Sequence, residues 1–223
     1  MSQLQIILAS CIPAAYLIGA VPFGLLVGLA KGVDPRKSGS GNIGATNVGR
    51  LLGIRYFGIV FLLDLLKALI PMVAAGIVVH RMQPAAGDYD WSIYLLWLLV
   101  GFAAIVGHMF SIYLGFKGGK GVATSAGMIL GLYPFYTVPG VAALALWLIV
   151  FLIWRYVSLA SIVAALAFPV MYLIAALIGN WPVLRQQLPL LVFAVLVAAL
   201  VTVRHRSNIT RLLAGSEHAF RRA

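Results

Sequence analysis

The chain has 223 residues, of which 63% are hydrophobic and only 9% are charged, a composition that excludes a soluble globular domain of this length. We therefore expect one integral-membrane domain, residues 1–223, with the lipid bilayer as its solvent. The formal net charge of +11 does not indicate a nucleic-acid partner, because the cations cluster at the ends of apolar segments, where they suit anionic lipid head groups.

Apolar runs of about 20 residues, long enough to cross a bilayer as helices, determine the predicted fold. They cover residues 4–30, 56–79, 91–110, 157–178 and, as the shortest, 188–203. No Lys or Arg precedes the first run, and this run is too long for the core of a signal peptide. We therefore expect residues 4–30 to form a retained membrane span.

The stretch 122–154 is too long for one span, since a helix of that length would measure roughly 50 Å at about 1.5 Å per residue. Its middle contains the turn-forming residues Pro134, Pro139 and Gly140. We therefore expect two short spans here, residues 122–136 and 139–154, which brings the predicted total to seven.

Charges at the ends of the spans predict the orientation. With seven spans and the N-terminus outside, the inner side receives the cations Lys31, Arg36, Lys37, Arg50, Arg55, Lys117, Lys120, Arg155, Arg204, Arg206, Arg211, Arg221 and Arg222. The outer side receives only Arg81, Arg185, Asp88 and Asp90. Because cytoplasmic loops carry the excess of Lys and Arg, we predict an all-α bundle of seven transmembrane helices with a cytoplasmic C-terminus.

A glycine-rich segment at residues 38–50 follows the first span and is the first of three motifs. Its glycines allow the backbone to approach an anion closely, and its arginine can bind a phosphate through two hydrogen bonds. The alternative is a solvated cytoplasmic turn. We predict that the motif binds substrate through Ser40, Asn42, Thr46, Asn47 and Arg50.

The second motif, residues 117–121, has the sequence Lys-Gly-Gly-Lys-Gly. It lacks the spacing of a nucleotide-binding P-loop, and no strand precedes it. A simple anion pocket at the start of the next helix fits better, whereas positive-inside anchoring would explain the lysines but not the glycines. The predicted binding residues are Lys117, Gly118, Gly119, Lys120 and Gly121.

The third motif follows the last span, where a helical spacing of three places His205 and Asn208 on one face. Arg211 lies near that face and can pair with Glu217. We predict a substrate site here, and the alternative is a basic helix that binds lipid head groups.

Four other polar residues have two interpretations each. Asp64 and Lys67 lie one helical turn apart inside a span, where a structural ion pair is the default and substrate contact the alternative. His108 suits a structural donor or a catalyst. Ser158 can cap a helix or donate a hydroxyl hydrogen bond to substrate, and we include it among the binding residues.

These motifs together give the chain a close resemblance to a known family. The segments that carry it are residues 38–50, Gly107-His108 with 115–124, residues 156–162, and residues 204–211 with Gly215 and Glu217. In them the chain resembles the bacterial acyl-phosphate-dependent glycerol-3-phosphate acyltransferase family, the PlsY type. The resemblance implies transfer of a fatty acyl group from acyl phosphate to the 1-position of glycerol 3-phosphate, which yields lysophosphatidic acid and phosphate.

The same resemblance implies a location and residue roles. The protein would lie in the bacterial inner membrane with a cytoplasmic active site, without metal or cofactor, and would contact the acyl-phosphate-synthesising enzyme transiently. Phosphate groups would be bound by Ser40, Arg50 and one or both of Lys117 and Lys120. Glycerol 3-phosphate would be held by His205 and Asn208. The acyl-phosphate head would be cradled by Gly118, Gly119 and Gly121.

The expected chemistry needs little from the protein, because an acyl phosphate is already activated. Positioning, charge neutralisation and oxyanion stabilisation remain to be supplied. No His-x-x-x-x-Asp pair, typical of acyl-CoA-dependent and acyl-carrier-protein-dependent glycerolipid acyltransferases, occurs in the chain. Either His205 or a substrate phosphate is expected to accept the hydroxyl proton.

Two rival functions fit the sequence less well. A transporter for an organic phosphate would need polar groups at the membrane midplane and matched inverted halves. A metal-dependent head-group transferase would need a cluster of aspartates. Since the sequence offers neither pattern, we expect an acyltransferase.

Overall fold

The computed structural model describes residues 1–83 and 89–219, so the predicted charges at Asp88, Arg221 and Arg222 lie outside the described residues. All regular secondary structure within these two ranges is helical, which confirms the predicted all-α class. The helices are α1 (Gln3–Ala20), α2 (Phe23–Leu29), α3 (Ala45–Leu52), α4 (Ile54–Met82), α5 (Trp91–Met109), α6 (Val122–Gly131), α7 (Thr137–Trp154), α8 (Val157–Ile178), α9 (Leu188–Arg204) and α10 (Arg206–Leu213), with a short 3-10 turn at Ile112–Leu114.

Five segments are long and apolar enough to cross a membrane, namely Gln3–Leu29, Ile54–Met82, Trp91–Leu114, Thr137–Trp154 and Val157–Ile178. α9 and α10 are bent by 61° against each other and together add a sixth candidate. α6 has ten residues, about 15 Å at about 1.5 Å per residue, and is shorter than a full crossing. The count of seven spans therefore stays a prediction.

Three predicted spans differ from the helices in detail. The run 4–30 is interrupted at Pro22, between the end of α1 at Ala20 and the start of α2 at Phe23. The turn expected around residues 134–140 lies earlier, because α6 ends at Gly131 and α7 already begins at Thr137. Pro139 is therefore in the first turn of α7, where its missing N–H would have no helical partner.

α5 lies in the middle of the bundle, where it packs against α1, α4, α6 and α9. Glycines allow the closest contacts with α1: a Cβ at Gly19 would lie 2.2 Å from the carbonyl oxygen of Ala104, and one at Gly107 would lie 2.3 Å from that of Tyr16. Small residues allow such close helix approach in membrane proteins. The end of α5, including His108, is thereby held in a fixed position.

The two ends of the bundle carry different side chains. At one end Phe135, between α6 and α7, contacts Tyr94 near the start of α5 and Trp181 after α8. In the same aromatic cluster, the Tyr136 hydroxyl donates to the carbonyl of Leu190 near the start of α9. The predicted motif segments lie at the opposite end. α6 therefore leads from the motif end to the aromatic end, and α7 returns.

Candidate active site

The three motif segments line one open cavity of about 780 Å³. The predicted binding residues that line it are Ser40, Asn42, Thr46, Asn47, Arg50, Lys120, Gly121, Ser158, His205 and Asn208. Asp64, His108 and Glu217 also contribute to its wall. The three motifs, whose cations the predicted topology placed on the same side of the membrane, therefore meet at one place in the structure.

The first motif folds around the buried side chain of Asn47, at the start of α3. Asn47 Oδ1 accepts a hydrogen bond from the Ser40 backbone N–H at 2.9 Å. Its Nδ2 lies 2.8–3.0 Å from the carbonyl oxygens of Pro35, Ser38 and Asn42. Because the loop already uses both hydrogens of the amide, Asn47 shapes the loop and is not the open substrate donor that we predicted.

Arg50 connects the first motif to the segment after α10. It lies in the last turn of α3, and its Nη2 donates to the carbonyl oxygen of His218 at 2.7 Å, across 168 positions of sequence. Asn42, at the other side of the loop, accepts from the Gly44 backbone N–H at 2.8 Å, which fixes the turn before α3. The cavity therefore has a wall made of distant parts of the chain.

The second motif divides into residues inside and outside the cavity. Lys120 and Gly121 line it, whereas Lys117 is exposed and lies outside it. Gly121 has a φ of +82°, a conformation that favours glycine, and α6 begins directly after it at Val122. The first N–H groups of α6 have no partners within their own helix and lie beside Lys120.

Gly118 and Gly119 pack against α5 instead of forming the predicted phosphate cradle. A Cβ at Gly118 would lie 2.1 Å from the His108 carbonyl oxygen, and one at Gly119 would lie 2.1 Å from His108 Nε2. Arg204 Nη2 donates to the carbonyl oxygens of Gly118 at 3.2 Å and Gly119 at 2.7 Å. These two glycines therefore allow the loop to pass close to His108, while Arg204 holds the loop from the other side.

Glu217 organises the third motif, although we did not predict it as a binding residue. Its Oε1 accepts from Ser158 Oγ at 2.9 Å and Asn208 Nδ2 at 2.8 Å, and its Oε2 accepts from Arg211 Nε at 2.7 Å. The predicted Arg211–Glu217 pair is thus confirmed. Asn208 Oδ1 in turn accepts from Lys120 Nζ. We call these five residues the Glu217 cluster.

Electrostatics in the Glu217 cluster favour an ionised carboxylate. Burial opposes ionisation of Glu217, but hydrogen bonds from Asn208, Arg211 and Ser158 outweigh it, so the pKa of Glu217 is lowered. The Ser158 hydroxyl is engaged by this carboxylate. Ser158 therefore reaches the cavity as a support of Glu217, which differs from the direct substrate contact that we predicted.

Lys120 is the cation in the cavity whose charge responds most readily to pH. Burial lowers the pKa of Lys120 to about 8, opposed by Glu217 and reinforced by Arg211, Arg50 and Arg204. A bound phosphate would favour the charged form of this lysine. The side chain is therefore suited to neutralising an anionic ligand.

His205 follows α9 and is buried beside the cavity. Its Nδ1 lies 2.8 Å from the carbonyl oxygen of Val201. Since a carbonyl only accepts, this nitrogen carries the hydrogen, and Nε2 of the neutral ring keeps a free lone pair. The ring can accept a hydrogen bond or a proton from a hydroxyl group, as the predicted base requires.

The predicted ion pair within α4 is present and has a third member. Lys67 Nζ lies 2.8 Å from Asp64 Oδ1 and 2.6 Å from His108 Nδ1. Asp64 and His108 line the cavity, so this buried ionic group adjoins the site. The spacing of Asp64 and Lys67 predicted their pairing, but nothing in the sequence pattern connects Lys67 with a histidine 41 positions away.

An apolar groove of about 550 Å³ adjoins the cavity, between α6, α7, α8 and α9. Small side chains leave its space open, among them Ala126, Ala143, Ala164, Ala165 and Ala198. Groove and cavity share Val122, Trp147 and Ser161. Trp147 Nε1 donates to Ser161 Oγ at 3.1 Å. We missed Trp147 because a tryptophan within an apolar span carries no site signal of its own.

Known protein sequences resemble this chain over nearly its whole length. The family model for glycerol-3-phosphate acyltransferase matches residues 9–215, which contain all three motifs. A glycerol-3-phosphate acyltransferase from Geotalea daltonii is 44% identical over 210 residues, 93% of this chain and 95% of the relative. One from Aquifex aeolicus is 42% identical over 209 residues, 92% of this chain and 95% of the relative.

Two crystal structures share the fold. One is the glycerol 3-phosphate form of PlsY, described as an integral membrane glycerol 3-phosphate acyltransferase; it has a TM-score of 0.77 at 38% identity and covers 96% of each chain. The other, the lysophosphatidic acid form of PlsY, has a TM-score of 0.76 at 37% identity and covers 96% of this chain and 95% of that chain. The family resemblance found in the sequence is thereby confirmed.

Proposed function

The chain belongs to the glycerol-3-phosphate acyltransferase family of integral-membrane enzymes, and on that premise we propose that its acyl donor is an acyl phosphate. The enzyme transfers the fatty acyl group to the 1-hydroxyl of glycerol 3-phosphate. The products are lysophosphatidic acid and inorganic phosphate, and the step is the first acylation of phospholipid biosynthesis.

The observation that carries this proposal is the junction of a cationic cavity with an apolar groove. Arg50, Lys120 and Arg211 line the cavity and can neutralise phosphate groups, whereas none of the described residues lining the groove is charged. A fatty acyl phosphate matches this division, with its phosphate in the cavity and its chain in the groove. Its carbonyl carbon then lies at the shared border, beside Trp147 and Ser161.

The residue roles that we propose follow from this placement. Phosphate groups contact Ser40, Arg50 and Lys120, while Lys117 is excluded because it lies outside the cavity. The first-turn N–H groups of α6 support the acyl-phosphate head, since a helix N-terminus favours anions. Glycerol 3-phosphate is held by His205 and Asn208, whose positions next to Lys120 suit a phosphorylated alcohol.

In the proposed reaction the 1-hydroxyl oxygen attacks the acyl carbonyl carbon. The bond between that carbon and the bridging phosphate oxygen breaks, and inorganic phosphate leaves with the electron pair. The hydroxyl proton moves either to Nε2 of His205, which is available as an acceptor, or to a substrate phosphate. The cations of the cavity stabilise the charge that develops on the departing phosphate.

The test uses the purified protein in detergent with labelled glycerol 3-phosphate and three separate donors. Palmitoyl phosphate is expected to give labelled lysophosphatidic acid, and palmitoyl-CoA is expected to give none. Acetyl phosphate, which has the same reactive group without a chain for the groove, is expected to be a poor donor. Omission of donor gives the background, and His205→Gln in the same assay separates the two proton acceptors by its kcat.

Product formed from palmitoyl-CoA at a similar rate would overturn the proposed donor, while the acyltransferase activity itself would still be supported. Equal use of acetyl phosphate and palmitoyl phosphate would show that the groove does not contribute to binding of the donor. Uptake of glycerol 3-phosphate into proteoliposomes without product from any donor would instead favour the transporter.

We further propose seven passes through the bacterial inner membrane, in a single domain with the N-terminus outside and the active site cytoplasmic. The direction of α6 and α7 supports this count, because their connection lies at the aromatic end, away from the motifs. The described cations of the motif end, such as Lys120 and Arg155, then face the cytoplasm. This face is also where an acyl-phosphate-synthesising enzyme would make its transient contact.

Single cysteines in a Cys11→Ala background test this topology. Tyr133→Cys, in the exposed connection between α6 and α7, is expected to react with a membrane-impermeant maleimide from the periplasmic side only. Lys37→Cys, in the first motif loop region, is expected to react from the cytoplasmic side only. Reaction of both positions from the same side would contradict two separate passes at α6 and α7.

A further inference from the structure

The ammonium group of Lys67 is buried and has an acceptor for each of its three hydrogens. Its Nζ lies 2.8 Å from Asp64 Oδ1, 2.6 Å from His108 Nδ1 and 3.3 Å from the carbonyl oxygen of Val21. The side chains of Lys67, Asp64 and His108 are at most 5% exposed. An ammonium in such a place is a donor only, and every contact around it must accept.

This arrangement determines the protonation of His108. Because Lys67 donates to Nδ1, that nitrogen must present its lone pair, and the ring hydrogen is on Nε2. A protonated ring would place a second N–H opposite the ammonium group, which is unfavourable. Asp64 Oδ1, at 3.6 Å from Nδ1, is too far away to accept a hydrogen bond from that nitrogen. His108 is therefore a neutral ring with its N–H on the side away from Lys67.

The Nε2–H of His108 is not engaged by the described part of the protein. His108 lines the cavity, and Nε2 lies over Gly119, where a Cβ would come within 2.1 Å of it. Among the described residues no acceptor contacts this nitrogen. Gly119 immediately precedes Lys120, so the N–H lies next to the segment that carries the cation and leads into α6.

We propose that His108 is a catalytic residue whose Nε2–H donates a hydrogen bond to a phosphoryl oxygen of the acyl donor. Asp64 and Lys67 are positioning residues that fix the required tautomer. As the carbon–oxygen bond breaks, negative charge grows on the departing phosphate, and a preoriented donor stabilises it without a proton transfer. The inference rests on the proposed reaction at this cavity.

Two amide substitutions at His108 distinguish hydrogen-bond donation to the ligand from packing, because the two amide groups lie at different distances from the backbone. The Gln side-chain amide extends about as far as Nε2 of histidine and can donate toward the cavity, whereas the Asn amide extends only as far as Nδ1 and can accept from Lys67. His108→Gln is expected to keep kcat/KM for palmitoyl phosphate within about fivefold, and His108→Asn to lower it about 10- to 100-fold. The KM for glycerol 3-phosphate is expected to stay within about twofold in both.

A purely structural role of His108 predicts higher activity for the Asn variant than for the Gln variant, because Asn keeps the contact with Lys67 and Gln displaces it. That result would overturn the proposal. A raised KM for glycerol 3-phosphate with unchanged donor kinetics would overturn the assignment to the acyl donor. If both variants fail to fold, 15N NMR of histidine-labelled wild-type protein tests the tautomer of His108 directly. A signal from an Nδ1–H tautomer at His108 would contradict the proposal. Failure of the wild type to use any acyl phosphate would instead contradict the proposed donor.

Discussion

Replacing Glu217 by alanine is expected to lower both the stability and the activity of the enzyme. Ser158, Asn208 and Arg211 would all lose their acceptor. Removal of one partner of a buried charged group costs about 3–5 kcal/mol, and the partial exposure of Arg211 reduces this to about 2–4 kcal/mol. We expect kcat/KM to fall about 100-fold, because Asn208 would no longer hold Lys120 in place. Thermal unfolding in detergent and initial rates measure the two effects.

Matched variants define the cause of this loss. Glu217→Gln keeps the size of the side chain and one acceptor oxygen, and is expected to lose less stability than the alanine variant. Ser216→Ala changes the exposed neighbour and is expected to behave as wild type. An alanine variant with wild-type melting temperature and turnover would show that the Glu217 cluster does not hold the site together.

Replacing Lys120 by methionine is expected to lower kcat/KM about 100- to 1,000-fold while the fold is retained. The variant removes the amine that lies between Asn208 and the start of α6, and with it a positive charge facing the proposed phosphate. Methionine keeps most of the volume of the aliphatic chain. The matched control is Lys117→Met, three positions earlier on the exposed part of the same motif, which we expect to change activity less than about twofold.

The pH dependence of the wild type provides a second readout for Lys120. With its pKa at about 8, this lysine is charged below that pH and neutral above it, so kcat/KM is expected to fall as the pH rises through 8. Bound phosphate favours the charged form, so kcat at saturation should persist to higher pH. Lys120→Arg is expected to flatten the profile, since guanidinium stays charged. The proposed role of Lys120 would be contradicted by a wild-type pH profile in Lys120→Arg. Equal losses of kcat/KM in Lys120→Met and Lys117→Met would also contradict it.

The sequence predicted the helices well because hydropathy reports directly on contact with lipid. It failed at local backbone details, the break at Pro22 and the end of α6 at Gly131, because the chain stays apolar through both positions. Proline alone did not indicate the break, since Pro13 and Pro71 both lie inside helices. Hydropathy therefore locates apolar segments, while their interruptions require tertiary structure.

The candidate site was predicted as a set of residue types, and the structure shows which of them remain available. Asn47 matched the composition of an anion-binding loop, but its hydrogens are taken by carbonyls of that loop. Gly119 matched a phosphate cradle, but its missing side chain makes room for His108. Glu217 has partners 9 and 59 positions away, and no periodicity predicts the more distant one. Motifs thus identified the site, and tertiary contacts decided the roles within it.

The apolar groove meets the polar cavity at Val122, Trp147 and Ser161. This border has a consequence for the units in which the concentrations of the two substrates are measured. On the proposed function, one substrate arrives from water and is measured in moles per litre. The other, a fatty acyl phosphate, is dissolved in the bilayer, where the relevant quantity is molecules per unit area of membrane. Expansion of the bilayer at constant amounts of enzyme and donor would therefore dilute one reactant and not the other, so membrane growth itself would act on the rate.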